Sequence, residues 1–175
     1  MVRSPSEIHV TSRQISQWER IPNTSIQSKP LMIYHQAFDA SAEGLSKHLE
    51  ETGEISPSWI YTIYSRTHFH STSHVGVVSG SAHLCFGSEE SPDRFKPEVS
   101  KGDLIIVPAG VGHRLLSDNN GMQGPFKMVG AYPQDKSWDM CYGQPGEEDS
   151  CRNIGSLDWF QRDPLYGKDG PALRV

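Results

Sequence analysis

Hydrophobic residues in this chain follow two rhythms. Over 40–52 they recur at helical spacing: Leu45 and Leu49 lie four apart, Glu43, Lys47 and Glu50 fall on polar positions, and Gly53 ends the run. The spacing predicts a short amphipathic packing helix. Elsewhere the apolar residues come in brief runs, rich in β-branched and aromatic side chains and punctuated by Gly, Pro, Asn and Asp. Strands are predicted over 31–38 and 59–65, then over 75–79, 81–86, 104–107, 113–116 and 126–132, with a loop over 117–121. Many short strands with closely spaced turns indicate an all-β sandwich or barrel rather than alternating strand–helix units.

The two ends depart from this rhythm. Residues 1–30 are polar and broken by Pro5, Pro22 and Pro30, and read as an arm over the surface with a helical turn near Gln14 to Glu19. Residues 31–175 read as a single domain with its core barrel at about 59–132. Trp138, Trp159, Phe160 and Tyr166 are too much aromatic surface to leave in water, so the C-terminal tail is expected to dock on the barrel.

Composition narrows the function. With 175 residues and a net charge of −5, the chain offers no basic stripe for nucleic acid. No apolar leader opens it and no run approaches a membrane span. Cys85, Cys141 and Cys151 are an odd, scattered set without a CxxC pair, which points to free thiols in a reducing, cytoplasmic setting.

The chemistry lies in histidines. Thr67-His68-Phe69-His70-Ser71-Thr72-Ser73-His74 places two imidazoles at alternate positions and a third four residues on. If the preceding strand runs straight through, His68 and His70 share one face with Tyr64 and Arg66 and line a common cavity. Gly102-Asp103-Leu104-Ile105-Ile106-Val107-Pro108-Ala109-Gly110-Val111-Gly112-His113 is an apolar strand closed by a Pro/Gly turn that delivers His113. A meeting of the two segments would make a preorganised imidazole site for a divalent transition metal; Fe, Zn, Mn, Ni and Cu all accept one. Tyr64 is then a candidate proton donor, with packing as its plainer role. Arg66 is a candidate partner for an anionic substrate, with a surface ion pair as its plainer role. His83 has no motif around it and reads as structural.

These segments resemble the two motifs of the cupin superfamily. Gly102, Pro108, Gly110 and His113 meet the second motif, Gly-x5-Pro-x-Gly-x2-His, and Ser117 stands where an asparagine is expected. His68, His70 and Gly80 fit the first motif in outline, but its glutamate is absent: His74 and Val75 hold those positions. Further likeness runs through His70 to His74, Val129 to Pro133 with Trp138-Asp139, and Asp163 to Pro171. It points to a group of small single-domain cupins whose fungal members include oxidoreductases of polyketide gene clusters. The resemblance implies a jelly-roll barrel around a metal ligated at His68, His70 and His113. With the glutamate missing, three arrangements stay open: His74 as a fourth ligand, a three-histidine site with open positions, or a site spoiled by a shortened hairpin.

The expected function is a metal-dependent oxidoreductase acting on a small aromatic or polyketide-derived metabolite in secondary metabolism. A non-redox isomerase or cyclase, and a ligand-binding cupin with a degenerate site, are the alternatives. A homodimer is implied by the resemblance, with the polar arm free to add a strand to a partner.

Overall fold

A computed structural model of the chain describes residues 1–39, 42–119, 126–133, 136 and 138–175. Its strands are β1 (His9–Arg13), β2 (Leu31–His35), β3 (Ile55–Tyr61), β4 (His74–Ser79), β5 (Ser81–Phe86), β6 (Glu98–Ser100), β7 (Leu104–Val107), β8 (His113–Asp118) and β9 (Lys127–Pro133). They form two antiparallel sheets, one ordered β1-β2-β7-β4-β9-β3 and the other β6-β5-β8. The helix α1 (Ala42–Thr52) and the tail cover the outside of the larger sheet. This is the jelly-roll barrel with one short packing helix and a docked tail.

Burial explains why the central strands are apolar throughout. Ile105 and Val107 of β7 face the smaller sheet with Ala82, Leu84 and Phe86 of β5. Leu104 and Ile106 face the other way, against Leu45, Leu49, Phe160 and Leu165. A strand covered on both faces needs no polar alternation. In β9 the alternation puts Met128 into the barrel, so Gly130 and Tyr132 share its face. A Cβ on Gly130 would meet the Tyr61 ring at 2.5 Å, and one on Gly76 the tip of Met128 at 2.0 Å, so two missing side chains leave room for large neighbours inside.

Several expectations need correction. Strand β3 ends at Tyr61 instead of running through Ser65 to the histidines, and it starts at Ile55, carrying Pro57 on the edge strand where its register with β9 shifts between Pro57 and Trp59. Residues 14–19 are not helical; Trp18 and Ile21 form a tight β-bridge with Glu19 at φ 51°. The arm adds its strand to its own sheet, β1 pairing with β2 from His9↔His35 to Arg13↔Leu31. β2 stops at His35 because Gln36 turns to φ 50° and donates its N–H to Asp103 Oδ1 at 2.8 Å. Ser117 and Asp118, read as loop, complete β8, while positions 120 and 121 lie outside the described residues. Strand β6 went unpredicted because Val99 is its only apolar residue.

Asp163, fully buried, holds the tail down. Its carboxylate accepts from Tyr34 Oη at 2.6 Å and from the backbone N–H groups of Leu165, Tyr166 and Ala172 at 2.9, 3.0 and 2.9 Å. Trp159 Nε1 donates to Ala172 O at 2.8 Å, closing the same turn. Trp138, at 50% exposed, is the least covered of these aromatic residues.

Candidate metal centre

The two histidine-bearing segments are hydrogen-bonded to each other. His68 and His113 exchange both backbone bonds, at 3.2 and 2.8 Å, and Gly110 N–H donates to His70 O at 2.8 Å. Gly110 holds φ 85°, a left-handed turn that glycine takes without penalty. Ala109 N–H donates to Ser73 Oγ at 3.1 Å. Phe69, between the two histidines, is buried and pairs in both directions with Cys141 at 2.8 and 3.0 Å. The stretch is thus not a strand, yet two isolated bridges keep it extended, and His68 and His70 reach the same side.

The arm contributes too. Asn23, fully buried, donates its backbone N–H to Gly110 O at 2.8 Å and accepts Gly112 N–H on Oδ1 at 3.1 Å. The turn that presents His113 is braced by a segment read from sequence as surface cover.

His68, His70 and His113 are buried, and one ring nitrogen from each lies within 4.8 Å of the other two. Backbone carbonyls fix the tautomers. His68 Nδ1 lies 2.9 Å from Arg66 O, His113 Nδ1 2.9 Å from Val111 O, and His70 Nδ1 against Asp139 O. A carbonyl only accepts, so each Nδ1 carries the proton and each Nε2 keeps its lone pair. His113 Nε2 is buried and has no hydrogen-bond partner among the described residues. Burial holds all four clustered rings below the ordinary histidine value, His74 and His113 well below that value and His70 at about 4. The imidazoles are therefore neutral at pH 7, the form that coordinates. Converging lone pairs, fixed tautomers and an orphaned buried nitrogen all fit a metal ion.

His74 stands just outside that set. Its ring centroid is 4.8 Å from His70 and 5.2 Å from His113, and its buried Nδ1 makes no well-formed hydrogen bond among the described residues. Tyr132 lies beside it, 5.5 Å away and 5.9 Å from His70.

A cavity of about 360 Å³ opens on the centre, lined by Tyr61, Thr62, Tyr64, His68, His70, Tyr132, Trp138 and Met140. Tyr64 sits edge-on to His68 at 5.6 Å and is 61% exposed, so it belongs to the mouth. Arg66 does not join the lining: its guanidinium lies 4.1 Å over the Tyr142 ring, because the chain has left the sheet and bends at 65–66. His83 is exposed on the outer face of β5. Tyr61, Tyr132 and Met140 are not site candidates from sequence, where Trp138 is expected only to pack; the alternation of Met128, Gly130 and Tyr132 along β9 is the available signal for Tyr132.

The protein is 32% identical over 159 residues to the uncharacterized protein YjlB of Bacillus subtilis (strain 168), covering 89% of this chain and 90% of that one. It belongs to the YjlB family. No protein-family profile matches the chain. Among solved structures, acireductone dioxygenase from Bacillus anthracis, with a cadmium ion in its active centre, aligns over 79% of this YjlB-family chain and 84% of that one, at 13% identity and a TM-score of 0.42. RmlC from Streptococcus suis, in complex with dTDP-D-xylose, aligns over 75% and 72%, at 12% identity and a TM-score of 0.36. Among the described residues of this YjlB-family protein, no helix is long and apolar enough to cross a membrane.

Proposed function

We propose that this YjlB-family protein is a metal-dependent oxidoreductase for a small aromatic substrate, with His68, His70 and His113 holding a divalent transition metal. The supporting observation is that three tautomer-fixed imidazoles converge at the end of a cavity walled by Tyr61, Tyr64, Tyr132 and Trp138. The metal would supply a Lewis-acidic centre that, as iron, manganese or copper, also exchanges electrons. Protein groups do the rest. The aromatic walls bind and orient a planar ring and exclude water from the histidines. Burial raises the Tyr61 and Tyr132 phenols above their ordinary value, so both stay protonated at neutral pH and can donate a hydrogen bond. Tyr64 at the mouth is placed to exchange a proton with solvent. Arg66, stacked on Tyr142, supports the mouth instead of contacting substrate. His74 stands beside the three ligands and packs against Tyr132. A polyketide-derived, secondary-metabolic substrate rests on the cupin resemblance.

Metal analysis tests this reading. Purified protein reconstituted with a divalent metal should hold close to one ion per chain, His113→Ala should lose it with its fold intact, and His74→Ala should keep it. Unchanged metal content in His113→Ala would refute the ligand set. Turnover of an aromatic substrate that needs no oxidant would make the protein an isomerase or cyclase, and metal binding without turnover on any aromatic would leave a binding protein.

A further inference from the structure

Residues 138–142 run across the outside of the histidine stretch as a strap. Its Cys141 pairs with Phe69, its Tyr142 lies under Arg66, and its Trp138 and Met140 line the cavity. Asp139 is where the strap touches the centre. Its backbone carbonyl faces His70 Nδ1, and its carboxylate Oδ1 accepts Ser71 N–H at 2.8 Å. The second carboxylate oxygen lies 3.7 Å from Cys141 Sγ, and Oδ1 is also 4.0 Å from His70 Nδ1.

We propose that Asp139 is a positioning residue, clamping residues 70–71 so that the His70 ring is held in the Nδ1–H tautomer with Nε2 aimed at the cluster. His68 and His113 need no such clamp, because each donates to a carbonyl two residues away in its own segment. His70 instead depends on a carbonyl 69 residues distant, which only a tertiary contact can keep in place. The paired Phe69–Cys141 bonds bring the strap alongside, and the Ser71–carboxylate bond is the contact made by residue 139 itself. It gives the strap two jobs at once, walling the cavity and orienting a ligand. The inference rests on reading the histidines as a metal centre, yet the state of the His70 ring can be read without metal.

The test uses full-length Asp139→Ala and Asp139→Asn beside the wild type. Asparagine keeps an acceptor for Ser71 N–H; alanine does not. Long-range proton–nitrogen NMR of the metal-free proteins should show His70 as the Nδ1–H tautomer in wild type and Asp139→Asn, and as a mixture in Asp139→Ala. Competition against a chromophoric zinc chelator should show zinc affinity falling about tenfold or more in Asp139→Ala and staying near wild type in Asp139→Asn, the range expected when a partner behind a metal ligand is lost. Wild-type tautomer and wild-type zinc affinity in Asp139→Ala would overturn the proposal, as would an Asp139→Asn protein impaired as deeply as Asp139→Ala. Wild type that binds no zinc would defeat the metal reading itself and leave the tautomer measurement to decide the role of Asp139.

Discussion

At the residue scale, the centre consists of neutral histidines kept neutral by burial, and this sets a pH dependence. In the fold His70 resists protonation until about pH 4, whereas in the unfolded chain it protonates near its ordinary value of about 6.5. Between those values the unfolded chain binds more protons, so lowering the pH favours unfolding. Stability of the metal-free protein should therefore hold above about pH 6.5 and fall progressively toward pH 4, by roughly 3 kcal/mol for His70 alone. His68, His74 and His113 act in the same direction. Urea unfolding across that range measures the slope, and His70→Gln should flatten it; an equally steep slope in the variant would show the ring to be hydrated. His68, His70 and His113 were legible in sequence because their spacing and the flanking glycines are local signals. Asp139 was not, since its role arises from contacts across the chain, and Tyr132 was marked only by its alternation with Met128 along β9.

At the scale of elements, alternation and turn residues made most strands legible, because a strand buried on one or both faces writes that burial into its own sequence. What escaped was the path between them. Nothing in Trp59 to Ser65 marks where pairing with β9 stops, at Tyr61↔Met128, since the following residues have equal strand propensity and the break is set by the partner strand. The arm was misread for a similar reason: β1 is polar because it is a sheet edge, and Asn23 is buried because a distant turn needs its amide. Tail docking was legible from its aromatic residues, but its fastening, Asp163, was not. Asp163→Ala should leave Tyr34 Oη and three backbone N–H groups without their buried acceptor and cost about 3 kcal/mol or more. Chemical denaturation measures that loss, and zinc affinity in the folded variant should be unchanged because the tail covers the far face of the larger sheet. Gly170→Ala should behave alike, its Cβ falling 1.9 Å from Asp163 Cγ.

For the whole molecule, the larger sheet is the frame and the histidine centre is a local cost to it. Four imidazoles crowd the barrel interior, where Ile and Val fill the neighbouring positions, and among the described residues His113 Nε2 and His74 Nδ1 are buried without hydrogen bonds. Unpartnered buried polar atoms each oppose folding by about 1–3 kcal/mol. A metal bound to His113 Nε2 in the folded state alone should return that atom's share as added stability. Metal at about a hundred times its dissociation constant adds roughly 2.7 kcal/mol, which for a chain of this length raises the melting temperature by about 5–10 °C. A thermal scan at pH 7.5 with and without zinc, manganese or ferrous iron under argon measures the rise, and a chelator should reverse it. His113→Ala should melt close to the metal-free wild type, losing one unsatisfied nitrogen but also the donor to Val111 O, and should gain nothing from metal. A His113→Ala protein that still gains several degrees would place the bound ion elsewhere in the molecule, and a wild type that gains nothing would leave the buried nitrogens to be satisfied by water.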